Sequence, residues 1–243
     1  MNAAQYGAAQ KRCRIFVFAY RNDTEYGKKM KDISADKIIQ SQGFMAQSFP
    51  IQSISEISEK EISNNILEVS DKFTYNFKNS GYMTNGKIYT TKVIELEETP
   101  IFLGSILQTN VDKKYYISED KKERWKYLKG AKKKNRISAN GHEYVYSEGA
   151  IAFPDYLDKP GRTILTSEGT INRSSHVICD PETNRLRILT PIETERLQGF
   201  DDDWTNMSMP DRMRYFCMGN ALVVPMITRM GKVLDEIFQE EVQ

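Results

Sequence analysis

The sequence of 243 residues has no apolar run long enough to cross a bilayer, which argues against a membrane-spanning helix. Its opening, MNAAQYGAAQKR, turns polar at once and shows no signal-peptide pattern. Cysteine is scarce. Cys13, Cys179 and Cys217 are odd in number and far apart, so no disulfide framework is expected and a reducing compartment is. His142 and His176 have no cysteine at metal-ligand spacing, which predicts no metal site. A charge excess is missing too: 34 basic against 33 acidic residues leave a net +1, so total charge does not point to nucleic acid. What remains, 40% hydrophobic and 28% charged, is a globular composition with length for one large domain or two small ones.

The charge is concentrated instead. Lys121 to Arg136, KKERWKYLKGAKKKNR, holds nine Lys or Arg and one Glu. Such a run is either a solvated face or a patch that meets phosphates, with Trp125 and Tyr127 packed among the cations and Lys132, Lys133 and Lys134 at its densest point.

Along the chain, Ile15 to Tyr20 is a short β-prone apolar run that reads as a buried strand. Little chain precedes it, so its sheet neighbours must come from later residues or from another polypeptide. Residues 28–40 read as helix or loop. Ile54, Ile57, Ile62, Ile66 and Leu67 suggest one amphipathic helix over Ser53–Ser70. Asn79-Ser80-Gly81 marks a turn, and Asn85-Gly86 between β-prone residues is a hairpin signal. Leu103–Leu107 is a short helical phrase, and Tyr144–Tyr146 suggests a strand. Asp158–Ile178 suggests a hairpin or two strands around a polar loop. Thr170, Asn172, Arg173, Ser174 and Ser175 in that loop are donors suited to base edges. Asp180–Asn184 is a turn. Thr190 caps a helix that opens with Pro191, Glu193 completes a capping box, and Gly199 ends it. Residues 211–218 suggest a helical turn. A last helix, roughly Pro225 to Phe238, places Met226, Ile227, Met230, Val233, Leu234 and Ile237 on one stripe.

The wording of three segments is more specific. RILTPIETERLQGF (Arg187–Phe200), followed by GNALVVP (Gly219–Pro225), resembles the ninth and tenth sequence blocks of the cytosine-5 DNA methyltransferases. QKRCR, with Gln10, Arg12 and Arg14 ahead of a β-prone run, is similar to their eighth block. Thr163-Ile164 resembles the Thr-plus-aliphatic pair of their target-recognition region. The fold this implies is α/β: the C-terminal part of a Rossmann-like S-adenosylmethionine-dependent methyltransferase with a mixed, β-rich target-recognition domain. The implied domains are a catalytic strand segment at 1–30, a variable insertion at 31–87, target recognition at 88–185, and a return to the catalytic domain at 186–243. By the same resemblance Arg14 touches the flipped cytosine, with Arg12 beside it and Gln10 near its backbone. Asn220 and Ala221 lie at the edge of the S-adenosylmethionine site. Arg162, Thr163, Arg173 and the basic run meet double-stranded DNA. Glu193, Arg196 and Gln198 hold the recognition domain against the catalytic one. The setting implied is a prokaryotic restriction–modification system, cytoplasmic and nucleoid-associated, with no membrane partner.

The resemblance stops short of the chemistry. Cytosine-5 methylation needs a thiolate for C6, a carboxylic acid near N3 and a bound methyl donor. In the family these come from a Pro-Cys, a Glu-Asn-Val and a glycine-rich turn. Here no cysteine follows a proline, no Glu-Asn-Val occurs and no Gly-x-Gly occurs. The sequence therefore implies a chain inactive alone: the subunit of a split enzyme whose partner is an N-terminal-half chain, or a truncated product. The alternatives are a non-catalytic sequence-specific DNA-binding module and an inactive remnant.

Overall fold

The computed structural model describes residues 1–63 and 65–242. In chain order its helices are α1 (Glu25–Lys31), α2 (Ala35–Lys37), α3 (Phe44–Ser48), α4 (Ile66–Lys72), α5 (Glu119–Lys129), α6 (Pro191–Gln198), α7 (Asp211–Asn220) and α8 (Val224–Val242). The strands are β1 (Ile51–Ile54), β2 (Ser58–Glu61), β3 (Ser80–Thr84), β4 (Lys87–Thr91), β5 (Val93–Glu95), β6 (Lys132–Ile137), β7 (Glu143–Glu148), β8 (Val177–Cys179) and β9 (Leu186–Ile188). They form small antiparallel sheets: β1 with β5, β2–β4–β3, β6 with β7, and β8 with β9. The build is the mixed α/β one expected.

The chain divides into two compact units. The first takes Met1–Tyr6, Cys13–Thr99 and the chain from Pro225 onward; the second takes Gly7–Arg12 and Pro100–Val224. These limits differ from the expected ones. Residues 186–224 pack with the recognition region because α6 and α7 share its core: Leu189, Leu197 and Met218 lie with Leu103, Ile106, Ile164 and Ile178.

In the first unit, Tyr26, Met30, Ile38, Phe44 and Val233 form the core, joined by Met230, Leu234 and Ile237 of α8. Met230, Val233, Leu234 and Ile237 of the expected stripe are thus core and Met226 is buried, while Ile227 is exposed. The Glu241 carboxylate accepts the N–H groups of Glu25 and Tyr26 at 3.0 and 2.8 Å, satisfying orphan donors at the start of α1. Asn85 and Gly86, with φ of 49° and 74°, make the tight turn between β3 and β4 that their sequence predicts.

Four expectations need correction. Ile15–Tyr20 is extended but belongs to no sheet among the described residues. Phe16, Phe18 and Tyr20 turn inward, with Phe18 stacked 3.9 Å from Phe44, while Ile15 and Val17 are 92% and 87% exposed. The run is one-faced, not buried on both sides. Ser53–Ser70 is not one helix: β1 and β2 occupy its first half, and helix begins only at Ile66, where Asn65 caps two N–H groups. Cross-strand pairs such as Ile54 with Val93 override the helical spacing of its isoleucines. Asp158–Ile178 has no hairpin; side chains bonded to backbone hold it instead. Finally, residues 211–220 form a full helix that takes Gly219-Asn220 into its last turn.

Candidate nucleic-acid interface

Every site element expected from sequence at Gln10, Arg12, Thr163-Ile164, Gln198 and Gly219–Ala221 meets in the second unit. Gln10 is fully buried. Its amide donates to the Leu197 carbonyl at 3.1 Å and to Gln198 Oε1 at 2.9 Å, and its Oε1 accepts the Ile164 N–H at 3.1 Å. Arg12 donates to the carbonyls of Ile164, Gly219 and Ala221, each at 2.9 Å. Gln198 reaches the Met218 carbonyl at 2.6 Å, and the Thr163 hydroxyl donates to the Lys11 carbonyl. Gly219 is required at this junction, since a Cβ there would stand 2.3 Å from the Thr166 nitrogen.

The knot changes the expected roles. Gln10 and Arg12 are buried among backbone carbonyls, so they set the geometry of the unit rather than face solvent. Arg14 lies in the first unit, half-buried, donating to the Cys13 carbonyl at 2.7 Å. Asn220 is exposed on the last turn of α7, and Ala221 is half-buried with its carbonyl engaged by Arg12.

Helix α6 stands beside the knot. The Glu193 N–H donates to the Thr190 hydroxyl, and the Thr190 N–H donates to Glu193 Oε2 at 2.8 Å. Glu193 also closes a buried ion pair with Arg187, 2.7 Å away, whose other side pairs with Asp180 at 2.7 Å. Arg196 holds Asp202 at 2.7 Å and the Ile106 carbonyl at 3.0 Å. All partners of Glu193, Arg196 and Gln198 given by this geometry lie in the second unit, so these residues hold that unit together internally.

The polar loop before β8 is rigid for a reason the sequence did not reveal. Asn172 donates to the Ser167 carbonyl at 2.7 Å and accepts the N–H groups of Ser174 and Ser175 at 2.7 and 3.0 Å. Glu168 takes the His176 N–H at 2.6 Å and faces its Nδ1 at 3.1 Å. Arg162 grips Asp155 with two bonds, 2.6 and 3.1 Å, and also caps the Ser174 and Ser175 carbonyls. Burial alone would raise the Asp155 pKa, but the bonds from Arg162 outweigh it and hold the carboxyl below its usual range. Arg173 donates to the carbonyls of Leu128 and Gly130 at 3.0 Å and to that of Gly149. Asn172, Arg162 and Arg173 are therefore bonded into the fold. Asp155 and Asp180 each meet an arginine seven residues on, Arg162 and Arg187, but neither pair lies within one helix or strand, so no element period announced it.

The basic run divides as well. Trp125 and Lys129 are buried, with the Lys129 ammonium 5.6 Å from the Trp125 ring centre. Lys129 donates to the Ser175 carbonyl, and burial pulls its pKa down to about 8. Lys132, at the start of β6, lies 4.6 Å from the Tyr127 ring centre and 3.8 Å from Glu148. Lys133 and Lys134 are exposed.

Comparison with known proteins places these features. The family model described as C-5 cytosine-specific DNA methylase matches residues 1–236. The type II methyltransferase M.Sau3AI of Staphylococcus aureus is 46% identical over 240 residues, covering 98% of this chain and 58% of that protein. The DNA-cytosine methyltransferase of Escherichia coli K12 is 29% identical over 154 residues, 58% of this chain and 32% of that one. The solved structure of the Entamoeba histolytica methyltransferase EhMeth matches with a TM-score of 0.40 at 15% identity, covering 74% of this chain and 54% of that chain. This chain thus spans little more than half the length of the S. aureus protein.

Proposed function

This chain belongs to the C-5 cytosine-specific DNA methylase family, and on that premise we propose that it is the DNA-recognition and target-base-holding part of a cytosine-5 methyltransferase. A companion polypeptide carries the nucleophile, the acid and most of the S-adenosylmethionine site. The substrate is double-stranded DNA and the setting a restriction–modification system.

The observation that carries the reading is the junction of Gln10, Arg12, Ile164, Gln198 and Gly219, which joins the three resembling blocks to the recognition region through side-chain bonds to backbone. A junction built this way fixes what its neighbours present to DNA. Arg14 follows directly from it and is the group proposed to meet the target nucleotide. Lys132, Lys133 and Lys134 meet phosphates.

Asn220 and Ala221 do not by themselves amount to a cradle for S-adenosylmethionine. One is an exposed side chain, the other a backbone whose carbonyl Arg12 already engages. They fit as one edge of such a site, and the cofactor's methyl group is activated by residues outside these 243. The same holds for the thiolate, because no cysteine here follows a proline.

The test is reconstitution with tritiated S-adenosylmethionine and duplex DNA, adding a polypeptide that carries Pro-Cys, Glu-Asn-Val and the glycine-rich turn. Label is expected in cytosine only with both chains present. Label from this chain alone overturns the proposal; DNA binding that never leads to transfer with any such companion reduces it to a binding module. Unchanged transfer by Arg14→Ala in the reconstituted pair removes the role given to Arg14.

A further inference from the structure

We propose that Glu195 and Arg214, with Thr205 between them, are positioning residues that fix the roll of α7 and so aim the Asn220 side chain at the edge of the S-adenosylmethionine site. The proposal rests on the cofactor-edge role given to Asn220 above and names what holds that residue in place.

Helix α7 has ten residues and is about 15 Å long. Its two faces differ. Arg214, Tyr215, Met218 and Gly219 are buried, whereas Met213, Phe216 and Asn220, spaced i, i+3 and i+7, share the exposed face. A short helix held only at its end can turn about its own axis, and a side chain on its outer face swings with it. The end of α7 is held: Arg12 takes the Gly219 and Ala221 carbonyls, and Gln198 takes the Met218 carbonyl.

Helix α6 stops the turning. Glu195 and Gln198 stand three residues apart on one face of α6. Gln198 holds Met218, and Glu195 holds Arg214, one turn earlier in α7, with Oε1 2.9 Å from Nη2. Two attachments a turn apart fix both the place and the roll of α7. Thr205 closes a triangle. Its N–H donates to Glu195 Oε1 at 3.0 Å, its hydroxyl donates to the same oxygen, and that hydroxyl accepts the Arg214 Nε–H at 3.0 Å. Asp203 accepts from Arg214 Nη2 at 3.2 Å. Beside Arg214, the Tyr215 hydroxyl donates to the Leu189 carbonyl at 2.6 Å.

This is a costly way to hold a helix. Glu195 is fully buried, and its Oε2 is buried with no donor among the described residues. Apolar side chains of similar volume would pack α6 on α7 without that cost. What they lack is direction. Charge-assisted bonds to a planar guanidinium fix an angle, and dispersion contacts do not.

The double variant Glu195→Gln/Arg214→Met tests the assignment. It removes both buried charges together and leaves an acceptor for Thr205. The urea midpoint of the chain alone is expected to stay nearly unchanged, while the NMR signal of the Asn220 side-chain amide shifts. In the pair reconstituted with the companion chain, KM for S-adenosylmethionine is expected to rise about tenfold, with kcat and the KM for DNA nearly unchanged, the mark of lost cofactor binding. Arg214→Lys keeps the charge but not the fork, is expected to move both readouts the same way by less, and decides the matter if the double variant does not fold. Lys114→Ala breaks an exposed ion pair with Asp211 at the first turn of α7 and is expected to change neither readout. Asn220→Ala separates the two levels of the reading. If it raises that KM while the clamp variants leave KM and the Asn220 signal where they were, or if Lys114→Ala raises KM as much as they do, the clamp is refuted and the cofactor-edge role stands. If Asn220→Ala leaves KM unchanged, the cofactor-edge role falls and the clamp's role falls with it. A parent pair that transfers no methyl group overturns both.

Discussion

Arg12 shows how a residue's type and its role separate. Its donors reach three carbonyls from two distant stretches of chain, so Arg12→Ala leaves buried acceptors without a partner. A loss of about 2 to 4 kcal/mol is expected in urea denaturation, and Arg12→Lys should recover little because an ammonium lacks the planar fork. Gly219→Ala places a methyl group 2.3 Å from backbone, where nothing flexible can yield; it is expected to cost more than about 2 kcal/mol by the same measurement. Lys129 supplies a pH signature. Its folded pKa of about 8 lies below the ordinary 10.5, so the unfolded chain binds more protons between those values. Its linkage therefore makes stability rise with pH across that window, and Lys129→Met should remove the rise when denaturation midpoints at pH 7.5 and 9.5 are compared. Asp155 acts at the other end. Its pKa is lowered in the fold, so the stability it contributes is present above the unfolded carboxylate value and lost as pH falls through the folded one.

Elements differ in how openly the sequence declares them. Helix α6 is marked at both ends: Thr190 and Glu193 close the capping box, and Gly199 ends it with φ of 82°. Thr190→Ala should cost about 1 kcal/mol by the loss of that cap, measured as a shift in denaturation midpoint. Asn85-Gly86 is as clear, because a two-residue turn needs positive φ at both positions. The isoleucines between 53 and 70 are not clear. Their spacing fits a helix, yet pairing with β4 and β5 decides the first half of the segment, and those partners lie far along the chain. The polar loop at 165–176 also escaped the sequence, since its order comes from Asn172, Glu168 and Arg162 bonding backbone, a mode with no period.

At the scale of the whole molecule, the exposed Ile15 and Val17 flank an extended run whose other face is packed. Under the proposed function, this surface is where the companion chain adds its sheet. Ile15→Lys/Val17→Lys should alter the stability of this chain by no more than about 0.5 kcal/mol. It should abolish co-purification with the companion and methyl transfer together. Retained assembly with full transfer would separate this surface from the companion's binding site.

The sequence by itself determined the family and the punctuation of α6, because those depend on residue identities a few positions apart. It also showed that no Pro-Cys, Glu-Asn-Val or Gly-x-Gly occurs in these 243 residues, each a local fact. Only the tertiary structure decided which arginines face outward. Arg12, Arg162 and Arg173 look on paper like groups for DNA, but carbonyls and a carboxylate brought near by the fold claim them. A guanidinium bonds whatever acceptor the fold sets beside it, and that neighbour is fixed by the path of the whole chain, not by the residues next to it in sequence.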